Sequence, residues 1–381
     1  MTSIINIAPV SDFGFDVLRQ QTSEKKGENI FLSPLSISLA LGMTANGANG
    51  ETFTAMQKAL RLADYGDAGA TNNLGYAALI NALTGKDIGV TMKIANSIWA
   101  ANRDDVSFKE AFLKANRDYF KAEVNFEDFT SSATPVKIND WVKLNTAEKI
   151  TKIVGDSIDP ITVMFLINAV YFKGDFAVKF DKALTSPGVF KGTAGDKTLP
   201  LMYRNGEMRY GSSDGFSAVA LPFGAAEGRF SLFILLPHEG KTAEDIVQGL
   251  TAPKFFAVCK SMHQLEVALH LPKFEIEFEC ELSTTLKALG MSNAFSGATA
   301  DFSRMAAGSL FISAVKHKVY ARVDEEGAEA AAATSVEIGL ESMRMVVPFR
   351  VDRPFVALIA DEHTGAVAFA GLMNNPEAPK S

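Results

Sequence analysis

Apolar residues recur along this chain in several distinct periods. Between Ser11 and Arg19 the run SDFGFDVLR places Phe13, Phe15, Val17 and Leu18 behind a serine of the kind that caps helices, and predicts an amphipathic first helix. Asn29 to Ser33 reads as a short strand. Pro34 then permits a helix to start, and Ser36 to Met43 is apolar nearly all round, which predicts a buried helix. Met92 to Asn102, MKIANSIWAAN, alternates and stops at a polar turn, as a strand does. Val136 to Val154 spaces Ile138, Trp141, Val142, Ile150 and Ile153 for a helix followed by a turn. Thr162 to Phe180 is apolar almost without a break, too short for a membrane and rich in β-branched and aromatic residues, which predicts a central buried strand. Asn168 lies inside it and needs hydrogen-bond partners there. Phe216 to Pro237 reads as a hairpin, and Leu265 to Met291 alternates strictly before turning helical at LSTTLKALGM. Val347 to Pro376 reads as three short strands with a turn at His363 to Gly365.

Glu325 to Ser342, EEGAEAAAATSVEIGLES, obeys two periods at once. Glutamate and alanine are strong helix formers, so propensity points to a solvated helix, or to an alanine-rich linker. Taken every second residue, Ala328, Ala330, Ala332, Thr334, Val336, Ile338 and Leu340 share one face. The opposite face carries Glu329, Ala331, Ala333, Ser335, Glu337, Gly339 and Glu341. A strand that begins with side chains this small needs almost no pre-made cavity, so it suits late insertion into an existing sheet.

Composition narrows the class. The 381 residues contain no Pro/Gly/Ser-rich linker, repeat or low-complexity tract beyond the alanine run, and predict one domain over 1–381. A hydrophobic share of 47% and a charged share of 21% fit a globular chain with a sizeable core. The net charge of −7 comes with scattered basic residues, so neither a nucleic-acid footprint nor a heparin-like patch is expected. No membrane span is expected either, and MTSIINIAPV lacks the features of a signal peptide, as a trimmed chain also would. Cys259 and Cys280 are too few for a disulfide framework or a zinc site and read as buried thiols. There is no Asn-x-Ser/Thr sequon, and GANGET lacks the ending of a phosphate loop. The five histidines invite a search for a Ser-His-Asp triad, but no Gly-x-Ser-x-Gly elbow is read beside them and His-Glu-x-x-His and Cys-x-x-Cys are absent, so no enzyme activity, metal or cofactor is expected.

Several motifs together resemble the serpins, the serine protease inhibitor family. Glu325-Glu326-Gly327, then Ala328, Glu329 and Ala330 to Ala333, resembles the hinge of the reactive loop in inhibitory members, with Ala328 where Thr or Ser is usual. Gly47, Ala48 and Thr52, the Trp99 strand, Ile138-Asn139-Asp140-Trp141-Val142 with Lys149-Ile150, Leu271 to Phe274, and Val347 to Pro376 match other family segments, so the resemblance covers essentially the whole chain. A prokaryotic member is one reading left open.

The resemblance implies a mixed α/β (α+β) fold with a large central β-sheet, further sheets, about nine surrounding helices and an exposed reactive-centre loop near 325–346. It implies a suicide substrate: a serine protease is trapped as a covalent acyl-enzyme when the cleaved loop inserts. The alternative is a non-inhibitory carrier, storage protein or chaperone. Counting from Glu325 puts the reactive bond at Glu341–Ser342, with Leu340, Met343 and Arg344 as alternates. Ser33, Ser36, Asn168 and His317 are expected to form a cluster where the sheet opens; Phe176 stands where the family usually has Trp. Further expectations are cross-inhibition of cysteine proteases, self-polymers on heating, and an extracellular location if a signal was trimmed, otherwise a cytoplasmic one.

Overall fold

The computed structural model describes residues 8–62, 70–84, 89–104, 106–224, 229–327 and 346–379. The chain opens with α1 (Ala8–Glu24), β1 (Ile30–Leu32) and α2 (Pro34–Ala45). Ser33 caps α2 by accepting from Ser36 N, Pro34 occupies the first turn, and every residue of the helix is buried. The chain continues through α3 (Gly50–Ala59), α4 (Ala70–Leu83), β2 (Val90–Ala101), β3 (Ser107–Phe108), α5 (Glu110–Ala115), β4 (Glu123–Glu127) and α6 (Ala133–Asn145). Next come β5 (Met164–Gly174), β6 (Ser186–Gly192), β7 (Gly195–Ser213), β8 (Phe216–Pro222), β9 (Phe230–Pro237), α7 (Ala243–Gly249) and α8 (Ala252–Ser261). The last part holds β10 (His263–Pro272), β11 (Phe274–Glu281), α9 (Ser283–Leu286), β12 (Ala306–Ala307), β13 (Ala314–Val323), β14 (Val347–Arg350), β15 (Phe355–Asp361) and β16 (Val367–Met373).

Five strands form one sheet in the order β11-β13-β5-β2-β4. Eight more run β1-β16-β15-β9-β8-β7-β10-β14, with β6 beside β7, and β12 pairs β3 separately. In the five-stranded sheet β13 pairs β5 in parallel, while β11 pairs β13 and β2 pairs β5 antiparallel. The main core gathers α1, α2, β5 and the inner strands of the nine-stranded sheet. A second cluster lies under α6, where Ile138, Val142, Ile150 and Ile153 cover Trp99, Phe165, Ile167 and Ala169. Trp99 is fully buried and meets Trp141 edge-on at 6.1 Å, so both tryptophans serve packing.

Two of the predicted runs are divided. The strand expected to reach Phe180 ends at Gly174, where the Phe223 ring sits 2.9 Å from the place a Cβ would occupy and the chain bends. Leu265 to Met291 is not one alternating strand: Pro272 and Lys273 separate β10, in the nine-stranded sheet, from β11, in the five-stranded one. Its helical end is only Ser283–Leu286, continued by a wider turn through Gly290 at φ 100°.

Candidate functional site

Glu325, Glu326 and Gly327 fold against the bend that follows β5. Phe176 N donates to Glu326 O and Phe180 N to Glu325 O, each at 2.9 Å, and Gly327 bridges Asp175. Gly327 has φ 105°, and a Cβ there would lie 2.3 Å from Phe176 N and 2.4 Å from Gly174 O, so only glycine fits. The Glu325 carboxylate is almost fully buried and takes an ion pair from Lys273 at 2.7 Å and a hydrogen bond from Thr185 at 2.7 Å. Burial pulls its pKa up, but those bonds outweigh it and hold the carboxyl below the usual range. Glu326 pairs with the exposed Lys182, and Asp324 with Arg322 at 3.0 Å. Phe176, in place of the expected tryptophan, stacks on Phe223 at 5.0 Å and meets Phe180 edge-on, so three phenylalanines fill the corner behind the hinge.

Below this corner, Ser33, Ser36, Asn168 and His317 come together, joined by Asn96. His317 and Asn168 are paired residues of β13 and β5, and Asn168 in turn pairs Asn96 of β2, so one polar rung crosses three strands. Ser33 N donates to His317 Nε2 at 3.1 Å, which fixes the ring proton on Nδ1, where it is donated to Asn168 Oδ1. The Asn168 amide nitrogen donates to Ser36 Oγ and Asn96 Oδ1, and Ser33 Oγ donates to Ala368 O at 2.7 Å. All five residues are buried, and burial pushes the His317 pKa down to about 3. A neutral imidazole fully occupied by hydrogen bonds is a structural group rather than a general base.

Asn168 announced itself as a polar residue inside an apolar run; Asn96 carries the same signal within MKIANSIWAAN and was missed. Lys273 and Thr185 could not be found that way, because nothing local marks them as partners of Glu325. The remaining hinge positions, Ala328, Glu329, Ala330, Ala331, Ala332 and Ala333, and the candidate bond residues Leu340, Glu341, Ser342, Met343 and Arg344, lie outside the described residues.

One spacing needs correcting. Gly211-Ser212-Ser213-Asp214-Gly215 satisfies Gly-x-Ser-x-Gly, yet it forms the turn from β7 to β8, not the strand-to-helix elbow that exposes a nucleophile. His238 Nε2 lies 2.9 Å from Ser217 Oγ nearby, but that hydroxyl is shared with Tyr210 at 3.0 Å. Among the described residues no carboxylate bonds the imidazole.

A family model described as "Serpin (serine protease inhibitor)" matches residues 8–376. Serpin B8 of Bos taurus is 31% identical over 370 residues, covering 96% of this chain and 97% of that one. Tengpin, a thermophilic serpin solved in its native state, superposes with a TM-score of 0.88 at 32% identity, over 97% of this chain and 94% of that one. Human thyroxine-binding globulin, solved with thyroxine, superposes with a TM-score of 0.86 at 25% identity, over 98% and 99% of the two chains. The chain belongs to the serpin family. Its large mixed sheet, its further sheets and the nine α-helices among the described residues are the serpin fold.

Proposed function

We propose that this serpin is inhibitory: a suicide substrate whose reactive loop, cut by a serine protease, inserts between β5 and β13 and leaves the protease bound as an acyl-enzyme. The seam supports this reading most strongly. β5 and β13 pair directly from Ala314↔Phe165 to Tyr320↔Tyr171, with Gly327 turning the chain back over the upper end. Parallel pairing is slightly weaker per residue than antiparallel pairing. A strand running back from Gly327 is antiparallel to both neighbours, so insertion exchanges one parallel interface for two antiparallel ones. About a dozen newly paired residues at about 0.5–1.5 kcal/mol each give on the order of 10 kcal/mol, as large as a typical domain's whole stability. Insertion must part His317 from Asn168 and release Glu325 and Glu326, so the polar rung and the hinge bonds hold the loop out until cleavage.

In the trapping step, the protease serine Oγ attacks the Glu341 carbonyl, the bond to Ser342 breaks, and the Ser342 amine leaves with a proton. The ester that remains is carried away with the inserting strand. A carboxylate at the cleaved position fits a protease with a basic specificity pocket. Leu340 ranks second as the cleaved residue, directing chymotrypsin-, elastase- or subtilisin-like enzymes to the loop, and Arg344 third. Incubation with a panel of serine and cysteine proteases tests the reading: an SDS-stable complex with a glutamyl-specific serine protease is expected, with a released peptide beginning at Ser342. A peptide beginning at Met345 moves the bond and keeps the inhibitor. Loop cleavage by every protease of the panel with no complex favours the carrier reading, to which the likeness to thyroxine-binding globulin lends support.

A further inference from the structure

The bend after β5 has two sides. Phe176 and Phe180 give their backbone N–H groups inward to the hinge, while Ala177 and Val178 between them line a cleft of about 480 Å³ beside β7 and β8. Arg204 of β7 stands in its wall. One of its N–H groups donates to Val178 O, and its guanidinium lies 5.4 Å over the Phe180 ring. Among the described residues its other donors have no acceptor, although a guanidinium carries five N–H groups. Burial pushes its pKa down to about 10, so it stays a cation at neutral pH. The other charges of the cleft are spoken for: Arg209 pairs with Glu362, which also takes the Ser231 hydroxyl, and Glu207 has a partner of its own. Met208, Ala220 and Pro222 supply apolar wall.

We propose that this cleft binds a small carboxylate carried on an apolar body, with the free edge of Arg204 gripping the carboxylate and the apolar wall taking the rest. A volume of about 480 Å³ is that of a small-molecule site, and the planar guanidinium fork matches a carboxylate's two oxygens. Because Val178 O is already tied to Arg204, an occupant clamps the bend from outside while the hinge holds it from inside. Occupancy therefore slows insertion. This second step rests on the inhibitor reading; binding itself does not.

Calorimetry on the intact chain with octanoate, 4-phenylbutanoate and uncharged 1-octanol tests the site. One equivalent of carboxylate binds, and the two acids together tell a fatty chain from an aryl one. Octanol binds at least about tenfold more weakly, the loss expected for a charge-assisted hydrogen bond. Arg204→Met, which keeps the apolar stem, weakens octanoate by a similar factor. Val178→Glu, at an exposed rim position, supplies an internal carboxylate to Arg204 and blocks the acids even if Arg204→Met fails to fold. No binding of either acid, equal affinity for octanol, or acids that bind Val178→Glu as tightly as the parent overturns the site. With a protease that is trapped, saturating octanoate raises the fraction of inhibitor lost as cleaved substrate, and does not do so in Val178→Glu. Binding without that change overturns the clamp alone; absence of trapping counts against the inhibitor reading and leaves the calorimetry to decide the site.

Discussion

His317 couples the seam of the sheet to pH. Its Nε2 accepts from Ser33 N, so protonation sets a second N–H against a donor and breaks the bond that ties the rung to Ser33 at the start of α2. Burial lowers its folded pKa to about 3, against about 6.5 in an unfolded chain. A depressed histidine pKa means the unfolded state binds the proton more readily, so its contribution is fully present above the unfolded value. It is lost as the pH falls from there toward the folded value, at about 1.4 kcal/mol per pH unit. Melting temperature measured from pH 7 to pH 4 should fall, and His317→Gln should flatten that slope. Lys273→Ala leaves the buried Glu325 carboxylate without its cation, which costs on the order of 3 kcal/mol. It also loosens the hinge, so heating should give ladders of polymers on native gels at a lower temperature than for the parent. Lys182→Ala removes only an exposed lysine from Glu326 and should change neither readout appreciably. In the strand proposed to insert, Ala330→Arg would place a charge on the face assigned to the core and should convert inhibitor to substrate. If that variant traps protease with undiminished stoichiometry, the alternation assigned to the loop is wrong.

Between residue and fold, the turn that leaves α6 holds conformational strain over the sheet. Ala147 and Glu148 both have positive φ, at 51° and 62°, just before Ile150 and Ile153 pack onto the seam strands. Left-handed backbone costs a residue with a Cβ about 1–2 kcal/mol, part of which glycine forfeits through its unfolded entropy. Glu148→Gly should therefore raise unfolding free energy by about 0.5–1 kcal/mol in denaturant titrations, and an unchanged or lower midpoint contradicts the strain. The periodic elements were legible in the sequence: α1 from its apolar spacing, α2 from its wholly apolar run, β8 and β9 from the hairpin pattern, and Asn168 from its polarity within a strand. β7 was not, because charged residues interrupt its alternation from Gly195 to Ser213 and its pairing with β6, β8 and β10 is long-range. For the same reason the partners of the hinge stayed hidden. Glu325 meets Lys273 and Thr185 only because β13, β10 and the bend after β5 converge, and no local pattern encodes that meeting. The end of β5 was misplaced because hydrophobicity continues to Phe180, while the backbone hydrogen bonds turn to the hinge at Asp175.

Across the whole molecule, the proposed function turns on the state of the five-stranded sheet. Its central parallel seam, crossed by a polar rung and capped by the hinge, is the place where the proposed mechanism inserts a further strand. A strand can also come from a second copy, so mild heating should yield linear polymers through an open, non-closing contact. Strictly monomeric protein up to the melting point contradicts a seam that opens. The most direct test of insertion is the melting temperature of the purified chain before and after one cut in the loop between residues 328 and 345. A nick ordinarily lowers stability, whereas a new strand in the seam raises it by several kcal/mol. With about 10 kcal/mol gained, the cleaved form is expected to melt about ten degrees above the intact one; an equal or lower midpoint would contradict insertion.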